Sequence, residues 1–187
     1  VDVAYSRMLS ETFSAAVALR FIYSDLAWNE AEDITPGSAF AADIAFYYNN
    51  YILLGQRECM LGLGANISNI GSKISYDEGN TSEFVPTNFR IGASLLIPID
   101  EYNTISFSAD ANKLLVPTRP MQLEEESDQD YQDRLQKDYY DLSPITGIFK
   151  SFNDAPGGTS EELKEIQWSV GAEYMYNNQF AVRAGYH

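Results

Sequence analysis

Histidine and cysteine are nearly missing from these 187 residues: His187 and Cys59 stand alone. One cysteine makes no internal disulfide, and no Cys/His cluster has zinc-site spacing, so cross-linked secreted scaffolds and zinc fingers are excluded, and no metal or cofactor is assigned. The cysteine count leaves the redox compartment undetermined. Basic residues are scarce too, with 12 Lys and Arg against 27 Asp and Glu for a net charge of -15. Binding phosphate backbones needs a basic stripe, which excludes nucleic acid as the partner. No apolar run reaches the roughly 18 residues of a spanning helix, and mean hydropathy is -0.26. A helical membrane protein is therefore excluded. Membrane-spanning strands are not, because a barrel hides its apolar residues at every second position. There is no G-x-S-x-G elbow, and any Ser-His arrangement would have to recruit His187. Asp128 and Asp130 are paired carboxylates in a solvated loop, with nothing to perturb their acidity. No catalytic residue is assigned.

What is abundant is aromatic, with 13 Tyr and 10 Phe, and it alternates. From Ile166 to the end, Trp168, Val170, Ala172, Tyr174 and Tyr176 fall on one parity, and after Asn177-Asn178-Gln179 the pattern resumes with Phe180, Val182, Ala184 and Tyr186. Period two on both arms of a polar turn predicts a hairpin. If Tyr176 faces Phe180, then Tyr174 meets Val182 and Glu173 meets Arg183 on the opposite face.

The same rule repeats along the chain. Val1, Val3 and Tyr5 open it; Phe13 to Tyr23 follows; Phe40 to Tyr48 precedes a tight turn expected near Asn49-Asn50; then come Cys59 to Ile67, Phe89 to Ile97 and Ile105 to Ala111. The reading is eight antiparallel strands in one domain, residues 1–187, with the chain opening and closing inside a strand as part of a longer polypeptide. The links alternate short and long. Asp25 to Gly37, with Glu30, Glu32 and Asp33, is the first long one, Ser68 to Pro86 the second, and an insertion over 113–165 the third. Short turns at one end and long loops at the other are the habit of outer-membrane barrels, which have short periplasmic turns and long extracellular loops. Tyr47, Tyr48, Tyr51, Tyr102, Tyr174, Tyr176 and Phe180 beside the short turns, with Tyr23, Trp28 and Trp168 by the long loops, are expected to form two interfacial girdles. The opposing expectation is a soluble ligand-binding barrel with its apolar face inward. Against it stand Arg20, Asp43, Glu58, Arg90, Asp110, Glu173 and Arg183 on the other parity, too many charges for a small packed interior. In a membrane barrel they would face the lumen.

The insertion is too long for a passive connection. Ser127 before Asp128-Gln129-Asp130 predicts an N-cap for a helix reaching Leu142, with Tyr131, Leu135 and Tyr139 on one side. Ser143-Pro144 predicts the cap and first position of a second helix carrying an apolar stripe of Ile145, Ile148, Phe149 and Phe152. Thr159-x-x-Glu162 predicts a capping box. Two readings of the stripe stand: a partner-binding or lumen-plugging surface, or helices packed on each other and on the rim. The acidic run of Glu124, Glu125, Glu126, Asp128, Asp130 and Asp133 lacks the glycine and terminal Glu of a calcium loop, so it reads as a solvated face.

Four segments carry a likeness to a known family: Gly64 to Tyr76, Asn112 to Thr118, Ser151 to Gly158 and Ser169 to Tyr174. The chain resembles PorV, also called LptO, an outer-membrane component of the Bacteroidota type IX secretion system. The resemblance implies a FadL-like transmembrane barrel of about fourteen strands in the full protein, about eight of them here, with short helices in a long extracellular loop. It implies a non-enzymatic shuttle that receives cargo C-terminal domains from an SprA/Sov-like translocon and passes them to a PorU-like sortase, amid outer-membrane lipid and LPS. The alternative that such a barrel allows is a FadL-type transporter of hydrophobic compounds.

Overall fold

In the computed structural model, residues 1–25, 35–77, 81–154 and 158–187 are described. Alternation becomes eight strands: β1 Asp2–Met8, β2 Phe13–Ser24, β3 Gly37–Leu54, β4 Arg57–Gly71, β5 Asn88–Pro98, β6 Asn103–Leu114, β7 Gln167–Tyr176 and β8 Phe180–Tyr186. Each pairs antiparallel with the next, in the order β1 to β8. All four short turns therefore lie at one end of the sheet and all three long connections at the other. The final hairpin has the expected register, with Tyr176 against Phe180, Tyr174 against Val182 and Glu173 against Arg183. Its turn uses left-handed backbone at Asn177 and Asn178, φ 49° and 52°, a conformation asparagine tolerates better than most residues.

One turn lies elsewhere than expected. β3 runs on past Asn49 and Asn50, which pair with Gly62 and Leu61, and reverses at Gly55-Gln56. Gly55 supplies the positive φ (67°) that a two-residue hairpin needs, whereas the asparagines fit the ladder.

Register sorts the side chains into two faces. On one, Leu19, Phe40, Phe46, Ile91, Phe107, Val170 and Val182 follow the apolar parity across the ladders. Cross-strand aromatic pairs sit on it, Phe13 stacked on Phe46 at 5.9 Å and Phe21 against Phe40 at 5.0 Å. Nothing described covers this face: Leu19 and Phe40 are each 67% exposed and Val182 70%. A bare aromatic and aliphatic surface of this extent calls for an apolar environment.

The other face is polar. Arg20 pairs with Asp2, Asn66 with Arg90, Arg90 with Asn112, Gly92 with Asp110, and Ser106 with Glu173. Asp43, Glu58 and Arg183 share that face, so the seven charged residues read on that parity lie together on it. Tyr47 and Tyr51 are there too. The Tyr47 hydroxyl lies where a Cβ on Gly62 would come within 2.9 Å, so these two tyrosines are not part of the girdle expected on the apolar face. Tyr174, Tyr176 and Phe180 do fall on the apolar parity beside the short turns, and Tyr23 and Trp168 near the long connections. Trp28 and the acidic residues Glu30, Glu32 and Asp33 lie outside the described residues.

The buried apolar side chains concentrate at the long-connection end, among them Val85, Leu115, Leu135 and Tyr139. There the second connection closes over the polar face, burying Gly37, Ala39 and Ala41 alternately while Phe40 stays exposed on the other side. Below this cap a bulge breaks the β3–β4 register between Ala42 and Ile44. Asn69 turns left-handed there (φ 59°), and Asp43 accepts its N–H at 2.8 Å. Arg20 holds the same carboxylate at 3.2 Å, bonds Asp2 at 3.0 Å and donates to the Asn69 side chain. The bulge thus has its own charged fastening. Replacing Asp43 with Ala in the full-length parent is expected to cost about 1–3 kcal/mol, because a backbone N–H and a guanidinium lose their acceptor together. The denaturation midpoint in detergent checks this against Arg90→Ala, which removes no ion pair among the described residues and is expected to leave the midpoint unchanged.

Candidate partner-binding surface

The insertion between β6 and β7 folds where its caps direct. Ser127 starts helix α1, Asp128–Leu135, by accepting the Asp130 N–H at 3.2 Å. A π-helical turn, Gln136–Tyr140, prolongs it, and Leu135 and Tyr139 face inward as expected. Ser143 caps helix α2, Pro144–Lys150, by accepting from the Thr146 N–H at 3.2 Å, with Pro144 at the first position. Helix α3 spans Thr159–Glu162, and the Thr159 side chain, on which the expected capping box depends, lies outside the described residues. Thr159 is already helical, and the Gly158 carbonyl accepts from the Glu161 and Glu162 N–H groups. The Glu162 carboxylate has distant partners. It accepts the Asp154 N–H at 2.7 Å and the Lys113 ammonium at 2.7 Å, while Glu165 takes the same ammonium at 2.6 Å. This buried ion cluster ties the end of β6 to the residues just before β7. Ala155, Pro156 and Gly157, in the resembling segment Ser151 to Gly158, lie outside the described residues.

Lys73 joins the insertion to the second long connection. Its ammonium donates to the carbonyls of Tyr139 and Tyr140 at 3.1 and 2.8 Å, satisfying the end of the α1 helical run, and lies 4.1 Å above the Phe84 ring. Burial lowers its pKa, partly opposed by Glu83. The Tyr139 hydroxyl donates to Glu83 at 3.0 Å, and burial first, then that carboxylate, pushes its pKa up to about 12. Arg119 donates to the Tyr140 hydroxyl at 2.9 Å.

α2 docks on this layer by its small residues. A Cβ on Gly147 would meet Phe84 at 2.6 Å and Pro117 at 3.0 Å, so the absent side chain is what lets the helix sit down. Ser151, one turn on, is 1% exposed and donates to the Ile148 carbonyl at 2.8 Å. With that side inward, the apolar stripe points out. Ile145 is 62% exposed, Phe149 72% and Phe152 48%, whereas Ile148 is half-buried against the layer below. Of the two readings of the stripe, packing onto the protein describes Ile148 alone. Met121 and Leu123, which the sequence reading did not single out, are exposed on the same insertion. They sit in no periodic element, so no pattern marked them.

Three residues of the acidic run have local partners. Asp128 accepts from Gln122 at 2.9 Å and Asp130 from the Ser127 hydroxyl at 2.7 Å. Glu126 takes Arg134 through both oxygens, at 2.8 and 2.6 Å. No three acidic, His or Cys groups among the described residues are placed to hold a metal. On the sheet, Ser169 lies 2.9 Å from His187 Nδ1. Asp110 faces Ser169 across the ladder rather than the imidazole, so no Ser-His-Asp relay is assembled among the described residues.

Hydrogen bonding to Arg134 lowers the Glu126 carboxyl from 4.5 to about 2. A depressed carboxyl lends stability above its ordinary value and loses it as pH falls toward its folded one. Amide exchange protection of α1 is therefore expected to fall between pH 4.5 and about 2, and Glu126→Gln to remove that step; an unchanged step in the variant would show that another group governs it.

No curated protein matches the chain. A sequence model of the family described as Type IX secretion system protein PorV matches residues 1–121. The match spans β1 to β6 and two of the four resembling segments, Gly64 to Tyr76 and Asn112 to Thr118. The helices of the insertion, β7 and β8 lie beyond it. With its family sequence running through six successive strands of the meander, more than half of its length, the chain belongs to the PorV family of type IX secretion system proteins.

Proposed function

We propose that this chain forms part of the wall of an outer-membrane β-barrel. In that reading residues 1–187 make one domain, the bare face contacts lipid and LPS, the Arg20, Asp43, Arg90, Asp110, Glu173 and Arg183 face lines the lumen, and the insertion stands at the cell surface. The barrel takes cargo C-terminal domains from an SprA/Sov-like translocon and delivers them to a PorU-like sortase. Family membership supports the system, and the uncovered apolar face with its alternating short and long links supports the barrel. The observation that carries the shuttle is the outward stripe of Ile145, Phe149 and Phe152 on a helix seated by Gly147. Apolar anchors on a capped helix, held before any partner arrives, suit transient recognition, since little ordering remains to be done on binding. A transporter of hydrophobic compounds calls for an apolar lining, and the hollow on the polar face mixes Ala45, Tyr47 and Ala93 with Asn66, Arg90 and Asp110.

Changing Ile145, Phe149 and Phe152 together to Ala in the full-length parent is expected to release cargo domains from the purified complex, each truncation costing about 1–2 kcal/mol of binding. Co-purification and cargo secretion are measured, with unchanged heat-modifiable gel mobility as the control for the barrel. Retention of cargo and translocon at the parent's level would exclude the stripe as the contact.

A further inference from the structure

Beside the stripe, residues 118–123, α1 and the end of α2 surround a cleft of about 330 Å³. In a chain with net charge -15, three basic side chains line it: Arg119, Arg134 and Lys150. Arg134 is committed to Glu126 and to the Met121 carbonyl. The other two form no ion pair among the described residues. Arg119 donates to the neutral Tyr140 hydroxyl, and Lys150 to the Asp138 carbonyl at 3.0 Å. Two full positive charges thus converge on one cleft while bonded only to neutral oxygens, an arrangement ready for an anion.

The acids nearby limit which anion fits. Asp138 and Asp154 also line the cleft, and the Glu124 to Glu126 run adjoins it in sequence. Asp154 is anchored by the Thr118 N–H at 2.7 Å, and burial raises its pKa while the nearby Lys150 charge acts the other way. A doubly charged phosphate is disfavoured in such company, whereas a singly charged carboxylate is matched by Arg119 and Lys150. Met121, 73% exposed, and Leu123, 65% exposed, stand at the rim where the residue next to that carboxylate would rest an apolar side chain. We infer that this cleft binds the C-terminal carboxylate of a peptide chain, with Arg119 and Lys150 pairing the anion and Met121 and Leu123 receiving the last side chain. This rests on the shuttle reading and gives it a chemical basis: the receptor would recognise that its cargo's chain ends.

The test compares one cargo C-terminal domain, prepared as the free acid and as the C-terminal amide, for binding to the full-length parent in detergent. Amidation is expected to weaken binding about tenfold on the parent and to have no effect on Arg119→Gln/Lys150→Gln, while Arg119→Lys with Lys150 intact restores the acid preference. Equal affinity of acid and amide on the parent overturns this inference and leaves the shuttle reading standing. Failure of both forms to bind the parent overturns both readings. A double variant that keeps the acid preference but loses co-purifying lipopolysaccharide also overturns it, assigning the cations to lipid phosphate.

Discussion

Among the described residues every strand of this sheet has its sequence neighbours as its only ladder partners, and that pairing constrains the rest. Because side chains alternate at period two, one register fixes which residues share a face across all seven ladders, and a slip of a single position would exchange the two faces. The arrangement holds through β1 to β8 with a single register shift, at Asp43. There the extra residue costs a ladder bond, and the Asp43 carboxylate replaces it while Arg20 balances the charge. The bulge lies close to where the second long connection leaves β4, so it ends regular pairing next to the cap.

Two consequences follow from an apolar face left bare. The hydrophobic stabilisation of an ordinary sandwich, in which a second layer buries that face, is missing from the described residues. The interior instead forms at the long-connection end, where Val85, Leu115, Leu135 and Tyr139 are buried above the polar face. Lys73 is central there: it ends one helical run, stacks on Phe84 and lies near Glu83, so two connections distant in sequence form one layer. A lysine whose pKa burial lowers is tolerated because two carbonyls accept from it.

That layer also explains how an acidic chain can display an apolar stripe. α2 is amphipathic in the reverse of the usual sense, small residues inward and large apolar residues outward. The packing of Gly147 on Phe84 and Pro117 makes this orientation stable without burying the stripe. One insertion thus places the stripe beside a cleft in which two cations are bonded only to neutral oxygens.

Much of this was legible in the residues. Alternation located eight strands, Glu173 and Arg183 announced their pairing, and Ser127 and Ser143-Pro144 marked helix starts, because backbone period and capping are local chemistry. The turn after β3 was misplaced because Asn49 and Asn50 carry turn character that the ladder overrides, while Gly55 supplies the left-handed backbone. What the sequence by itself determined, then, is the sheet's period, its two chemistries and the caps of its helices. The tertiary structure alone decided that Tyr47 joins the polar face, that α2 turns its stripe outward, and that Arg119 and Lys150 share a cleft. These depend on register, on the space left by a missing Cβ and on contacts between distant segments, none of which is a property of neighbouring residues.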